Sequence, residues 1–178
     1  MKNVVLGVTG SIAAYKAAEI TSRLTKNDHA VHVILTAAAQ KFITPLTLQT
    51  LAKRQVYTGM FDEPVCGELR HISLAQQADL LLIAPATANF IGKIASGIAD
   101  DMLTTVVMAA AGKPVLICPA MNTAMLENPI TTGNIEKLKA HGCLFVEPRE
   151  AHLACGDLGR GALAGTDAIL QATEQYLK

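Results

Sequence analysis

The sequence predicts an α/β fold, a three-layer α/β/α sandwich with a mostly parallel sheet of about six strands. Short apolar runs alternate along the chain with segments of helical periodicity, which favours parallel strands joined by helices. Several runs are apolar at every position, as is typical of strands buried on both faces. With 178 residues, of which 51% are apolar and 17% charged, the chain is expected to form one domain, 1–178, with a sizeable core.

The amino-acid composition limits the classes of binding partner that are expected. The formal net charge is zero, which argues against nucleic acid or an anionic membrane as the main partner, because both select a basic surface. So low a charge on an apolar chain favours self-association. No apolar run reaches the roughly 18 residues of a membrane span, and no signal peptide precedes the first strand pattern, so a cytoplasmic protein is predicted. The cysteines form no CxxC pair and no His lies at zinc spacing, so no metal site is expected.

The first predicted strand, 3–8, leads through Gly10 and Ser11 into a helix over 12–26, with Ser11 as its N-cap. Glycine between a strand and a helix favours a phosphate site, although a tight turn alone also accounts for Gly10. The second strand, 30–35, ends in Thr36, where a dinucleotide-binding domain carries an acidic residue. The missing acid favours a mononucleotide over NAD.

The segment from 37 to 78 carries a weaker pattern. Residues 37–52 are predicted to form helix in two pieces, and 55–61 a short strand. A polar loop follows over 62–69, and a helix is predicted over 73–78. His71 lies at the junction of this loop and helix, where it is either an exposed capping residue or a functional one.

The clearest strand is 79–84, which runs into the small polar segment 87–89 and a helix over 89–95. The acidic pair Asp100-Asp101 then precedes a helix that extends to about 111. Such a pair is able to act as general acid and base, but we expect it to cap the helix N-terminus. That helix is apolar nearly all round, so it is expected to be buried.

The strand at 115–118 stops at Pro119, which has no N–H for the ladder. Asn122 lies just beyond its carboxyl end, where ligands bind in open α/β sheets. The side-chain amide is uncharged and is able to bind a carboxylate or a flavin carbonyl by hydrogen bonds. Met121 and Met125 lie on either side of Asn122 in the sequence, and their flexible thioether side chains are able to pack against a flat ring. Alternatively, Asn122 only caps the helix that follows.

The last part of the chain is predicted to contain a helix over 129–141, a strand over 143–146 and a final helix over 166–177. Residues 147–165 show no periodicity and contain several glycines and Cys155. We interpret this segment as a mobile lid over a site. Three strands thus end in small polar motifs that meet on one rim of the sheet.

Together these motifs resemble the flavin-containing cysteine decarboxylases, and the match covers essentially the whole chain. The run 119–125 is similar to the family's substrate motif, and 85–89 resembles its flavin motif. His71 matches the catalytic histidine, and 154–156 matches the substrate clamp with its cysteine. Leu126 and Phe90 depart from the motifs, where the family has Trp and Thr. The resemblance implies a Rossmann-like fold with FMN bound at the interfaces of a trimer, and four trimers form a dodecamer in some bacterial members.

The resemblance also implies roles for individual residues. The catalytic residues are His71, Asn122 and Cys155. The flavin shell comprises Gly10, Ser11, Ile12, Thr36, Ala38, Thr87, Ala88, Asn89, Phe90 and Ala120. The substrate is bound by Asn122, Met125, His152, Ala154 and Cys155. His152 stands where some relatives carry a substrate-binding Arg.

The activity implied is FMN-dependent decarboxylation of 4′-phosphopantothenoylcysteine to 4′-phosphopantetheine in coenzyme A biosynthesis, through transient oxidation of the thiol to a thioaldehyde. Many bacterial relatives carry a synthetase domain, so with this chain ending at Lys178 a separate synthetase protein is expected to supply the substrate. Three alternatives stay open: a decarboxylase of a peptide's C-terminal cysteine, a flavin prenyltransferase, and a non-catalytic flavin-binding regulatory subunit. The prenyltransferase has no need of Cys155, and the presence of both His71 and Cys155 argues against the regulatory subunit.

Overall fold

The computed structural model describes residues 1–61, 69–152, 156 and 158–178. Its strands are β1 (Asn3–Val8), β2 (Ala30–Leu35), β3 (Val56–Tyr57), β4 (Leu80–Ala86), β5 (Val115–Pro119), β6 (Leu144–Phe145), β7 (Arg149–His152) and β8 (Leu158–Ala162). Its α-helices are α1 (Ala17–Lys26), α2 (Pro45–Ala52), α3 (Arg70–Gln77), α4 (Ala88–Ala95), α5 (Met102–Ala109), α6 (Thr123–Leu126), α7 (Pro129–Ala140) and α8 (Thr166–Tyr176). Short 3-10 helices cover Ile12–Lys16 and Ala39–Lys41.

Strands β1 to β6 form one sheet, parallel throughout the described residues, in the order β3-β2-β1-β4-β5-β6. β1 lies at the centre, where Val4 pairs with Val31 of β2 on one side and Leu80 of β4 on the other. This is the strand order of the doubly wound dinucleotide-binding fold. The predicted Rossmann-like sandwich is therefore confirmed.

The core consists of two aliphatic layers, one on each face of the sheet. Val4, Leu6 and Val8 pack with residues of α1, α2 and α8. Val5, which points to the opposite face, packs with residues of α3, α4, α5 and α7. Because both faces of the central strands are covered, their sequences are apolar at nearly every position, and this is why periodicity predicted them well.

The acidic pair before α5 has a structural role. Asp101 Oδ1 accepts a hydrogen bond from the Thr104 backbone N–H at 2.8 Å, and Thr104 Oγ1 accepts one from the Asp101 N–H at 3.1 Å. These reciprocal bonds form a capping box at the helix N-terminus. Asp100 binds Lys93 Nζ at 2.7 Å. The prediction that Asp101 caps this helix is confirmed.

Three predicted segments differ from the structure. The strand predicted over 55–61 is only the two residues of β3, and α3 begins at Arg70 instead of 73, so His71 lies in its first turn. The described part of 147–165 contains the antiparallel pair β7–β8, which was not predicted. Its sequence lacks apolar alternation, and a register shift between Arg149 and Glu150 interrupts the pairing. Ala154 and Cys155 lie outside the described residues.

Two further properties concern the described residues alone. No helix among them is long and apolar enough to cross a membrane. Within the same ranges, no group of three or more His, Cys, Asp or Glu side chains is placed to hold a metal ion.

Candidate active site

A cleft of about 440 Å³ lies at the carboxyl ends of β1, β4 and β5. The chain leaves β1 and β4 in opposite directions along the sheet, so the cleft occupies the topological switch point where α/β proteins bind ligands. The described lining residues come from the turn after β1, the starts of α4 and α6, and the β7–β8 hairpin. They are Gly10, Ser11, Ile12, Ala13, Tyr15, Lys16, Thr87, Ala88, Ala120, Met121, Asn122, Met125, Arg149, Ala151, His152, Gly161, Ala162 and Leu163.

Thr9 joins the two central strands at the base of this cleft. Its side chain is buried, and its hydroxyl donates a hydrogen bond to the Pro85 carbonyl oxygen at 2.8 Å. The Thr9 hydroxyl oxygen in turn accepts a hydrogen bond from the Thr87 backbone N–H at 3.0 Å. Thr9 was not predicted from the sequence as a site residue, although a lone hydroxyl at the end of an apolar strand is a signal for one.

The turn after β1 depends on the lack of a side chain at Gly10. A Cβ at this position would overlap the Cβ of Ala38, so only glycine lets the segment after β2 approach so closely. Ser11 Oγ accepts a hydrogen bond from the Ala13 N–H at 3.3 Å, which confirms the predicted cap. Thr36 Oγ1 accepts one from the Ala39 N–H at 3.2 Å. Thr36 and Ala38 are not among the described residues that line the cleft.

The flavin motif after β4 divides between the cleft and the core. Thr87 and Ala88 line the cleft, and Thr87 Oγ1 caps α4 by accepting a hydrogen bond from the Phe90 N–H at 3.4 Å. The Phe90 side chain is 2% exposed and packs in the core. Asn89 is exposed and is not among the lining residues. The structure thus brings two of these four predicted flavin contacts to the cleft.

Asn122 has a cap role and also lines the cleft. Its Oδ1 accepts a hydrogen bond from the Ala124 N–H at 2.8 Å, so the interpretation as a helix cap is confirmed. This hydrogen bond identifies Oδ1 as the acceptor end of the amide, so the opposite end is Nδ2, which carries the N–H donors. Met121 and Met125 line the cleft beside it, as does Ala120, whose N–H is bound to the Ala86 carbonyl at 2.9 Å.

The β7–β8 hairpin closes one side of the cleft through glycine contacts. The Met121 N–H donates to the Gly161 carbonyl at 3.0 Å. Gly161 has a φ of +149°, and a Cβ there would overlap the Met121 carbonyl oxygen, while a Cβ at Gly159 would overlap Thr123 Oγ1. The glycines of this segment predict mobility from the sequence. At Gly159 and Gly161 the absence of a side chain permits close packing, and the mobility of the segment stays a prediction.

The electrostatics of the cleft favour an anionic ligand. Lys16, Arg149 and His152 line it, and no carboxylate is among its described lining residues. Burial, followed by the positive charge of Arg149, lowers the pKa of Lys16, while Glu19 acts in the opposite direction. Lys16 and Arg149 were not identified from the sequence, because only the tertiary structure brings these distant positions together.

Among the described residues, the predicted catalytic His71 lies apart from the cleft of its own chain. It is half-buried in the first turn of α3 and is not among the lining residues. Of the five predicted substrate contacts, Asn122, Met125 and His152 line the cleft.

Comparison with known proteins gives consistent similarities over the whole chain. The family model described as Flavoprotein matches residues 1–178. The probable phosphopantothenoylcysteine decarboxylase of Streptococcus mutans serotype c is 49% identical over 177 residues, covering 99% of each chain. The coenzyme A biosynthesis bifunctional protein CoaBC of Bacillus subtilis is 47% identical over 175 residues. That match covers 98% of this chain but only 43% of the bifunctional protein.

Solved structures show the same similarity. A PPC decarboxylase in which a cysteine is mutated to serine, complexed with pantothenoylaminoethenethiol, has a TM-score of 0.88 and 32% identity, covering 98% of this chain and 97% of that one. The FMN binding protein AtHal3 has a TM-score of 0.83 and 32% identity, covering 98% of this chain and 96% of that one. The peptidyl-cysteine decarboxylase EpiD has a TM-score of 0.81 and 25% identity, covering 95% of this chain and 96% of that one.

Proposed function

Because the chain belongs to the flavoprotein family, we propose that it is an FMN-dependent lyase that converts 4′-phosphopantothenoylcysteine to 4′-phosphopantetheine in coenzyme A biosynthesis. The observation that carries this proposal is the convergence of Gly10, Thr87 and Asn122 on one cleft. These residues represent the three polar motifs that follow β1, β4 and β5. The whole-length similarity to the streptococcal decarboxylase supports the choice of substrate.

The described residues fit FMN. A volume of about 440 Å³ lies within the range of about 300–1,000 Å³ that is typical of small-molecule sites. Gly10 leaves no side chain in the turn, and Thr36 is a capping hydroxyl where a dinucleotide site has a ribose-binding acid. When bound, FMN supplies the capacity to accept two electrons and return them. Six predicted flavin contacts line the cleft: Gly10, Ser11, Ile12, Thr87, Ala88 and Ala120.

The reaction needs such a redox partner because direct loss of CO₂ from an N-acylated cysteine leaves a carbanion without an electron sink. Oxidation of the CH₂–SH group to a thioaldehyde places C=S β to the carboxylate, and CO₂ is then able to leave. Ionising a thiol with a pKa near 8.5 at pH 7 costs only about 2 kcal/mol. Positioning of the substrate should therefore matter more than activation of its thiol.

Each predicted catalytic residue is assigned one task. Asn122 donates from its amide to the substrate carboxylate and holds it in the cleft. His71 acts as the base or orienting group during thiol oxidation. Cys155 protonates the ene-thiolate that CO₂ loss leaves. The aminoethenethiol held by the cysteine-to-serine mutant of the solved relative supports this assignment, because a protein lacking the proton donor should stop at that stage.

We further propose that the active site is completed in a homo-oligomer, a trimer or a dodecamer of four trimers. Ile12 and Tyr15 line the cleft, yet these residues are 58% and 60% exposed, and His71 lies outside the described lining of the cleft of its own chain. A neighbouring subunit that covers Ile12 and Tyr15 and contributes His71 accounts for both observations. A cytoplasmic location and a separate synthetase that supplies the substrate stay predictions.

One alternative substrate is favoured by a specific similarity. The peptidyl-cysteine decarboxylase EpiD shares the fold of this chain. A peptide that ends in cysteine carries the same N-acylated cysteine with a free carboxylate. The two substrates differ in the acyl group attached to the cysteine nitrogen. Measuring decarboxylation of each substrate therefore distinguishes the two candidate activities.

The test begins with the visible spectrum of the purified protein and the flavin released on heating. Single-turnover and steady-state CO₂ release are then measured with 4′-phosphopantothenoylcysteine and with a peptide that ends in cysteine. We expect FMN and turnover of the first compound, and Cys155→Ser should accumulate a product two hydrogens lighter than phosphopantetheine. Recovery of FAD or NAD, or turnover of the peptide alone, would overturn the proposal.

A further inference from the structure

A second cavity lies apart from the active-site cleft, between α3 and the edge of the sheet at β3. Its volume is about 210 Å³. Its described lining residues are His32, Gln55, Tyr57, Arg70, Ser73, Leu74 and Gln77. None of these residues lines the active-site cleft, which lies at the carboxyl ends of β1, β4 and β5. We call this second cavity the α3 groove.

The α3 groove is polar on both sides. Four of its lining residues share one face of α3, at positions i, i+3, i+4 and i+7: Arg70, Ser73, Leu74 and Gln77. Across the groove, His32 comes from β2 and Tyr57 from β3. Leu74 is the only described lining residue whose side chain has no hydrogen-bonding group. A cavity of this composition suits a ligand that forms hydrogen bonds.

Arg70 gives the groove a positive charge that is held in place. Its Nη1 donates a hydrogen bond to Gln55 Oε1 at 3.0 Å, and its guanidinium carbon lies 5.8 Å from the centroid of the Tyr57 ring. These two contacts join the first turn of α3 to the β3 region and orient the planar guanidinium. Only one of its five N–H donors has a hydrogen-bond partner among the described residues.

No described carboxylate balances this charge. The described lining contains no Asp or Glu, and Arg70 forms no salt bridge within the described part of the chain. His32 is half-buried, and burial, followed by the positive charge of Arg54, lowers the pKa of its imidazole. The ring is therefore uncharged at pH 7 and offers one donor and one acceptor. The described lining thus combines one fixed positive charge with neutral hydrogen-bonding groups.

We propose that the α3 groove is a second ligand site, which binds a small organic monocarboxylate. A planar carboxylate matches the guanidinium of Arg70, because the two groups pair through parallel N–H···O bonds. One positive charge balances a monoanion, whereas a phosphate dianion would keep an excess negative charge. The Tyr57 ring and Leu74 provide apolar surface for a short carbon chain. The volume is below the range of about 300–1,000 Å³ that is typical of drug-sized ligands, so the ligand is small.

The test uses butyrate as the probe and butyramide, an uncharged compound of nearly the same shape, as the control ligand. Ligand-observed NMR with the full chain and its bound cofactor measures saturable binding of each. Butyrate should bind with a dissociation constant in the millimolar range. Butyramide should bind at least tenfold more weakly, because it lacks the charge that pairs with a guanidinium. Inorganic phosphate should not displace butyrate.

Variants locate the bound butyrate. Arg70→Met should lower the affinity for butyrate at least tenfold, and Arg70→Lys, which keeps the charge but loses the planar fork, should have an intermediate effect. Ser73→Leu should also weaken binding, because it adds side-chain volume to the groove without changing its charge. Lys137→Met removes a charge at an exposed position of α7 that does not line the groove, and it should bind butyrate as wild type does.

Arg149→Met tests whether butyrate occupies the active-site cleft instead, because Arg149 lines only that cleft. A loss of butyrate binding in Arg149→Met but not in Arg70→Met would overturn the proposal. Equal affinity for butyrate and butyramide would also overturn it, and tighter binding of phosphate than of butyrate would reject the monocarboxylate. Since CO₂ release is not measured, these outcomes do not depend on whether the proposed decarboxylase activity is correct.

Discussion

The backbone N–H of Thr87 donates a hydrogen bond to the hydroxyl of Thr9 at 3.0 Å, across the carboxyl ends of the two central strands. The same hydroxyl donates to the Pro85 carbonyl at 2.8 Å. Thr87 in turn lines the cleft and caps α4. The buried side chain of Thr9 therefore helps to fix the position of the proposed flavin-binding turn after β4 relative to β1.

Removing this hydroxyl should weaken both the fold and flavin binding. Thr9→Val keeps the volume but removes the two hydrogen bonds of the hydroxyl, leaving the backbone bond from the Thr9 N–H to the Pro85 carbonyl, so the free energy of unfolding should fall by about 1–3 kcal/mol. Urea unfolding and the FMN content of the purified protein measure the two effects. Thr9→Ser keeps the hydroxyl and should retain FMN. If Thr9→Val proved as stable and as yellow as wild type, the hydroxyl would not support the site.

Packing of the hairpin against the substrate motif gives a second prediction. In Gly161→Ala the new Cβ would overlap the Met121 carbonyl oxygen, and the φ of +149° is unfavourable for alanine. The hairpin should move away and weaken the bond from the Met121 N–H, so KM should rise and the protein should lose about 1–3 kcal/mol of stability. Thermal unfolding and steady-state kinetics measure these changes.

Gly165→Ala is the matched control for this substitution. Gly165 has a φ of −60°, and a Cβ there meets nothing within 4 Å. Its stability should stay within about 1 kcal/mol of wild type. Equal behaviour of the two alanine variants would contradict the close contact between Gly161 and Met121.

The central sheet was predictable from sequence, whereas the hairpin was not. β1 and β2 have the predicted bounds because strands buried on both faces are apolar throughout. β7 reads Arg-Glu-Ala-His, with no apolar face to mark it. It is paired with β8, and β8 in turn contacts the segment that begins at Met121. Such non-local contacts leave no periodicity in the local sequence.

The same distinction applies to the site. Ser11, Thr87 and Asn122 were found because each directly follows a recognisable strand, and that position alone predicts the rim of the sheet. Thr9 and Arg149 were missed, because the first resembles part of a strand and the second lies in a polar segment. Thr9 matters because of hydrogen-bond partners that are 76 or more residues away in the sequence. Arg149 is positioned by the fold of the β7–β8 hairpin, where its Nε binds the Leu163 carbonyl.

Burial of Cys118 predicts a specific dependence of stability on pH. The side chain is 0% exposed, and desolvation raises the pKa of its thiol. The unfolded thiol ionises above about pH 8.5, whereas the folded thiol stays protonated. The contribution of the buried Cys118 thiol to the free energy of unfolding is therefore fully present below about pH 8.5. Above that pH the contribution falls by about 1.4 kcal/mol per pH unit.

Cys118→Ala isolates this effect from the titration of other groups. At pH 7 the variant should be less stable than wild type by roughly 1 kcal/mol, because a buried sulfur is lost. The difference should shrink, and then reverse, as urea unfolding is repeated from pH 8 to pH 10. A constant difference across that range would mean that the folded thiol ionises as readily as the unfolded one.

The last prediction separates the two roles of Asn122. In Asn122→Asp, a carboxylate oxygen is able to accept the same hydrogen bond from the Ala124 N–H, so the cap of α6 and the thermal stability should be preserved. The amide donor is lost, however, and a negative charge then faces the substrate carboxylate. We expect kcat/KM for 4′-phosphopantothenoylcysteine to fall about 100-fold, which corresponds to roughly 2.7 kcal/mol.

Asn128→Asp provides a control with the same chemistry at a different place. Asn128 Oδ1 caps α7 by accepting a hydrogen bond from the Ile130 N–H at 2.9 Å, in the same manner as Asn122, but Asn128 is not among the lining residues of the cleft. This variant should keep both its stability and its kcat/KM. If Asn122→Asp and Asn128→Asp were equally active, Asn122 would be a helix cap alone, and the substrate carboxylate would have to be bound by another residue of the cleft.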